Sequence, residues 1–349
     1  MRRATPPAPQ GSSLGVGSAA GRGWVMFTRR SMRMVAAGMW PCAARSQGPA
    51  RAVTLVAPFT PGGAADIAAR TFAAHAVKHM GPDPQAMMVE NRAGASGAIG
   101  TQYVARARPD GQTLLLARVA ASAILPAIDP RTPYRIDDFT WLGLLDLNPY
   151  VVCVREDAPY RDLAALLDAI RAAPGTLNFA TSGPATILDL GIRHLLATAN
   201  LPIDAAQAIP YRGGGEALAS LLGGQAQFGG NNLGDMMGAI RNGQVRALVV
   251  TGHARLPGLR DVPTAAEAGV AALSQIAGWN ALAGPAGMAA ETVEFWARVV
   301  ATTGRDPEWI EATRRIGSVP QVTDGAAARA HVAAQIELYR GLARQLNLG

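Results

Sequence analysis

Cysteine is nearly absent: Cys42 and Cys153 are the only two in 349 residues. Two cysteines so far apart support neither a disulfide framework nor a thiolate metal cluster. Cys153 stands in the apolar run PYVVCV, where a small buried hydrophobe is expected rather than a catalytic thiol. Lysine is scarcer still, with Lys78 the single example. Acidic residues are missing from residues 1–46, which hold seven arginines. Those arginines account for the whole formal net charge of +7, leaving 25 basic against 25 acidic residues beyond them. The body of the chain is therefore neutral, and no nucleic-acid partner is expected.

Catalytic signatures are missing as well. There is no GxSxG elbow, no P-loop and no HExxH motif. The histidines His75, His79, His194, His253 and His331 are scattered. His75 and His79 lie one helical turn apart, but no carboxylate joins them at ligand spacing, so solvated helix histidines are expected and no metal or cofactor. Ser182 has no histidine near it in sequence; a partner from afar would make it a nucleophile, which leaves a hydrolase as the alternative reading. No uncharged apolar run reaches the ~20 residues that span a bilayer.

Residues 1–46 read as a leader. Met26 begins MFTRRSMRMVAAGMWPCAARSQG, in which Arg29-Arg30 precede a short apolar segment and small residues. That order fits a secretory signal, and the arginine pair resembles a twin-arginine export signal. Met26 is the expected start, with residues 1–25 as low-complexity sequence ahead of it.

After the leader, short apolar runs alternate with helical patterns. AVTLVA (52–57), AMMVEN (86–91) and TLLLAR (113–118) read as strands, separated by helices over 64–80 and 97–108. The β-α-β-α-β order predicts a parallel sheet covered by helices. A second series follows an extended stretch at 140–157, with helices over 161–175, 187–200, 215–224 and 234–243. Strands lie between them and at 245–252, and two terminal helices occupy about 291–304 and 324–346. The expected class is α/β with two lobes, the second inserted in the first: 47–150 plus 277–349, and 151–276. Open α/β sheets bind ligands outside the carboxyl ends of their strands.

Four strand-to-helix junctions are rich in Gly, Ser, Thr and Asn: APFTPGGAADIAAR (57–70), ATSGPAT (180–186), YRGGGEAL (211–218) and FGGNNLG (228–234). A helix start has backbone N–H groups without internal partners and a partial positive charge. Glycine admits a ligand to those donors, so such a junction is either a plain turn or an anion cradle. Asp66, in the first turn of its helix, is placed to cap it, to repel a strongly anionic ligand, or to hold an amine beside a carboxylate.

Several long stretches, in order, resemble the extracytoplasmic receptors of tripartite tricarboxylate transporters, the Bug receptors. They are VTLVAPFTPGGAADIAAR, VENRAGASGAIGTQYVARARPDGQTLLL, IPYRGGGEALASLLGGQAQF and ALVVTGHARLPGLRDVPTAAEAG. The resemblance implies a type II periplasmic-binding-protein fold that captures a small organic carboxylate without chemistry. It implies periplasmic location, membrane transporter subunits as partners and a monomer; an orphan sensor would share the same pocket. It places one ligand carboxylate on the first loop, at Phe59, Pro61, Gly62, Gly63 and Ala64, with Asp66 as the loop aspartate. The opposite wall would come from Thr181, Ser182, Gly183 and Pro184, from Tyr211, Gly213 and Gly214, and from Asn231 and Asn232. Asp189 stands where relatives often carry histidine, and Asn231-Asn232 where they often carry Asp-Asn. The acidic group argues against a tricarboxylate and for a monocarboxylate or an amino-acid-like or amide-bearing ligand.

Overall fold

The computed structural model describes residues 52–82, 86–184, 186–252 and 254–346. The leader reading, Cys42 and His253 lie outside the described residues.

The strands are β1 (Val53–Ala57), β2 (Met87–Asn91), β3 (Thr113–Arg118), β4 (Phe139–Arg155), β5 (Asn178–Thr181), β6 (Gln207–Pro210), β7 (Phe228–Asn232), β8 (Val245–Val250), β9 (Ala277–Pro285) and β10 (Val319–Pro320). The helices are α1 (Ala64–Ala76), α2 (Ala98–Ala105), α3 (Leu125–Ile128), α4 (Leu163–Ala172), α5 (Ile187–Thr198), α6 (Gly214–Leu222), α7 (Leu233–Arg241), α8 (Ala290–Thr303), α9 (Pro307–Arg315) and α10 (Gly325–Gln345). The fold is the expected two-lobed α/β architecture, but its sheet is mixed rather than parallel throughout. The strand order is β2-β1-β3-β9-β4-β7-β5-β6, with β8 and β10 also on β4. Parallel pairing holds where helices cross over, at β1 with β2 and β3 and at β5 with β6 and β7. β9 and β4 run antiparallel to their neighbours and join the two series.

β4 is the shared element. From Phe139 to Pro149 it pairs with β9; from Tyr150 to Arg155 it lies between β7 and β8. Its 17 residues are almost entirely buried, which explains the near-continuous apolar sequence. α1 is held by small residues: Ala64, Ala65, Ala68, Ala69, Ala73 and Ala76 are buried with Phe72, so the helix axis lies close to the sheet. α4 shows the amphipathic alternative, burying Leu163, Leu166, Leu167 and Ile170 at helical spacing, each contributing roughly 2 kcal/mol. Asp162 caps it by accepting from Ala165 N–H at 2.8 Å.

The turn at 120–124, α3, α9 and the two-residue β10 have no counterpart in the sequence reading. Residues Ala120–Ile124 form a single π-helical turn that leads into α3. α9, PEWIEATRR, is mostly polar and buries only Trp309 and Thr313, so it lacks the apolar run that marks the other helices. Its cap does: Asp306 accepts from Glu308 N–H at 2.9 Å and Pro307 takes the first helical position. No helix among the described residues is long and apolar enough to cross a membrane.

Candidate functional site

The four junctions face one small cavity of about 30 Å³. Phe59, Thr60, Gly63 and Ala64 line it from the β1–α1 loop; Ser182, Thr186, Ile187 and Leu188 come from the start of α5. Gly214 comes from α6, and Asn232 and Asp235 from α7. Arg118, Val119 and Ala120, where β3 passes into the π turn, complete the wall. A cavity of that size holds water but is too small for a multi-atom solute.

The junctions approach closely enough to explain their glycines. A Cβ on Gly213 would lie 2.7 Å from Thr60 Oγ1 across the cleft, and one on Gly214 would lie 2.1 Å from Asp235 Oδ2. Gly62 has a φ of +81°, which favours glycine. Gly63 is the N-cap of α1 and supplies no side chain to its free N–H groups. One of these is taken by an acid from the other side: Ala64 N–H donates to Asp235 Oδ1 at 2.5 Å. Asp235 belongs to the first turn of α7, so its carboxylate faces two helix starts at once. Burial pushes its carboxyl up, opposed by the Ala64 N–H, by Arg118 and by Asn232.

Arg118 is the buried cation of the site, 4% exposed. Its Nη1 donates to Asn280 Oδ1 at 2.8 Å, and Asn280 Nδ2 donates to Asp146 Oδ1 at 2.8 Å. Burial lowers the Arg118 pKa, with Asp235 and Asp146 as the opposing charges. Asp146, also buried, is pushed up to about 6 by burial against the pull of Asn280, Arg118 and Ser318. Beside this chain, Asn148 accepts from Gly234 N–H at 3.2 Å and donates to Ser318 Oγ at 3.1 Å, fixing the start of α7.

Of the residues singled out in the sequence, Phe59, Gly63, Ala64, Ser182, Gly214 and Asn232 line the cavity. The others stand around it. Pro61 and Gly62 are exposed. Asp66 caps its own loop, accepting from Gly62 N–H at 3.0 Å and pairing with Arg70 at 2.9 Å. Burial raises its pKa, but Arg70, Gly62 and Asn91 outweigh this and hold it low. Thr181 and Thr186 donate to Gly183 O at 3.1 and 2.8 Å and shape the α5 loop. Pro184 O accepts from Ser96 Oγ at 2.9 Å, and Tyr211 Oη accepts from Ser220 Oγ at 2.5 Å. Asn231 is fully buried, donating to Gly214 O at 3.0 Å and accepting from Asn232 N–H at 2.8 Å.

Arg118 and Asp235 are the charged residues that the sequence reading passed over. Arg118 had a legible signal, a single arginine inside the apolar run TLLLARVAASAI. Asp235 had the appearance of an ordinary first-turn acid, and only the fold turns it toward α1.

Asp189 faces a larger, open groove of about 640 Å³, lined also by Ser96, Asp129, Arg131, Pro184 and Arg193. Its charges are paired: Asp189 with Arg193 at 3.0 Å and Asp129 with Arg131 at 3.0 Å. That groove therefore offers a solute less unsatisfied charge than the small cavity does. His75 and His79 do meet a carboxylate, contrary to the sequence spacing, because α9 brings Asp306 within 3.5 and 3.4 Å of them. Cys153 is fully buried, and burial pushes its thiol up, as expected of an inert side chain.

Comparison with known proteins agrees with this architecture. The family model described as "Tripartite tricarboxylate transporter family receptor" matches residues 68–348. BugT of Bordetella pertussis is 30% identical over 302 residues, covering 85% of this chain and 90% of its own. MatC from Rhodopseudomonas palustris, solved with bound malate, superposes with a TM-score of 0.78 at 28% identity. That match covers 84% of this chain and 99% of MatC. A second R. palustris protein, solved with adipate, gives 0.81 at 29% identity, covering 86% and 99%. With matching motifs along nearly the whole body, a two-lobed fold and a cleft at its strand ends, this chain belongs to the tripartite tricarboxylate transporter receptor family.

Proposed function

We propose that this protein is a periplasmic receptor that captures a small organic carboxylate between its lobes, without converting it, and presents it to the membrane subunits of its transporter. The observation that carries the reading is convergence: four helix starts and the buried Arg118 surround one cavity at the strand ends. Such a site offers backbone N–H groups and a guanidinium to an anion. Malate and adipate in two structural relatives support the ligand class.

The lobes are taken as 47–150 plus 277–349 and 151–276. The change of partners along β4 after Pro149 supports the first boundary and makes that point, with the chain entering β9, the natural hinge. The Arg29-Arg30 leader would deliver the protein through the membrane as a monomer. Hydrolysis at Ser182 finds no support in the geometry, because among the described histidines His194 bonds to Ala272 O, His75 and His79 face Asp306, and His331 packs on Trp279.

The experiment is to purify the protein, identify the acid that accompanies it by mass spectrometry, and measure its affinity by calorimetry. Gly63→Val places a branched side chain at the α1 N-cap, where even a Cβ lies 3.4 Å from Asp235 Oδ1. Affinity should fall at least tenfold, which corresponds to about 1.4 kcal/mol. Unchanged affinity would refute the first loop as the cradle, and steady release of a product would refute a receptor without chemistry.

A further inference from the structure

Taking the cleft as the carboxylate site proposed above, the charges around it say which acids it accepts. Arg118 is the one basic and Asp235 the one acidic side chain among the residues lining the cavity. Arg118 is hydrogen-bonded to the neutral amide of Asn280 and forms no direct ion pair among the described residues. It is a buried positive charge that a solute carboxylate can pair with once the lobes part. Asp235 already occupies the Ala64 N–H at the α1 N-terminus, the place where an incoming anion would gain most. Its other oxygen lies against Gly214, whose missing side chain makes the space for it. Asp146 stands behind Arg118, bonded through Asn280, as a second acid facing the same cation.

A dicarboxylate entering this cleft meets one cation and a fixed neighbouring anion. One of its two carboxylates would lie beside the half-buried Asp235, where like charges are screened less than in bulk water. A ligand carrying one carboxylate and one ammonium group meets opposite charges at both ends. We propose that Arg118 and Asp235 form a charge-selecting pair that admits a zwitterionic monocarboxylate, its carboxylate toward Arg118 and its ammonium toward Asp235, and turns away dicarboxylates and tricarboxylates. Asp235 is then the specificity-determining residue of this receptor, and it does this work from a helix turn that also bridges the closed lobes.

The test is calorimetric titration of the full chain, freed of co-purified solute, with matched acids of three lengths. These are β-alanine, propionate and malonate; 4-aminobutyrate, butyrate and succinate; 5-aminovalerate, valerate and glutarate. The ammonium acid of at least one length should bind tenfold or more tightly than both its partners. Asp235→Asn, nearly isosteric, should weaken that acid at least tenfold and strengthen the dicarboxylate of the same length. Wild-type ranking alone is decisive even if the variant fails to fold. Equal or tighter binding of the dicarboxylates by the wild type overturns the charge selection while leaving the carboxylate receptor intact. An equal gain for all three classes in Asp235→Asn also overturns it, since Asp235 would then be only a competitor for the α1 cradle. If no acid of any series binds the wild type, the proposed function fails together with it.

Discussion

Tyr150 shows how a single side chain fixes its neighbours. It is fully buried in β4, and its hydroxyl has no hydrogen-bond partner among the described residues. A Cβ on Gly230 would fall 1.6 Å from that hydroxyl, and one on Gly191 would fall 2.4 Å from the ring Cζ. The glycine of FGGNN is therefore required by the ring behind it and not by a ligand in front, which is a different cause from the one the junction motif suggests. Gly230→Ala should destabilise the protein by about 3 kcal/mol, at the upper end for overpacking, read as a lower urea midpoint with unchanged slope. Tyr150→Phe should leave stability within about 1 kcal/mol of the wild type or raise it, because the hydroxyl it removes is buried and unpaired. A tolerated alanine at 230 would show that the ring can move aside.

At the scale of an element, α9 illustrates a helix whose existence depends on its cap. Asp306 accepts from Glu308 N–H and faces His75 on α1 and His79 in the turn that follows it, so it ties α9 to the end of α1. Burial raises its pKa, but the Glu308 N–H, His79, Lys78 and His75 outweigh that and hold the folded value below 3.8. The carboxylate thus stabilises the fold above the unfolded pKa, and this contribution is lost as pH falls through the lowered folded value. Asp306→Ala should cost about 1 kcal/mol at neutral pH, measured by chemical denaturation, and the difference from the wild type should shrink once the pH falls below about 4, where the carboxylate itself protonates. A difference that keeps growing below that pH would reverse the assignment. The sequence carries this cap in plain view as Asp306-Pro307, yet the helix is easily passed over because most of its residues are polar and only Trp309 and Thr313 are buried. α4 is the opposite case, with four apolar residues at helical spacing that identify it from the sequence.

At the scale of the whole molecule, the hinge motion proposed above would break few polar contacts between the lobes, among them Ala64 N–H to Asp235, Ser96 Oγ to Pro184 O and Arg241 to Arg315 O. Each is a single hydrogen bond, and such contacts contribute about 1 kcal/mol apiece, or about 2 where a carboxylate accepts. A closed state held so lightly is one that a solute can tip, as ligand-driven hinge closure requires. Small-angle scattering should give a radius of gyration near 19 Å for the closed body of about 300 residues. Removing the solute should raise it, and an identical value with and without solute would mean that the lobes do not part.

The sequence determined the class of fold, the places where strands hand over to helices and the family, because hydrophobic period, glycine position and long ordered motifs are local properties of the chain. It also marked Gly63, Ala64, Ser182, Gly214 and Asn232, residues at helix starts whose role in a cleft follows from their position on an element. Only the tertiary structure decided which charges face the cavity. Asp66, the acid beside the first loop, turned back to Gly62 and Arg70, while Asp235, 171 residues away from Ala64, took the helix start. Which carboxylate reaches a given N–H depends on distances across the closed cleft, and no local pattern in the chain encodes those.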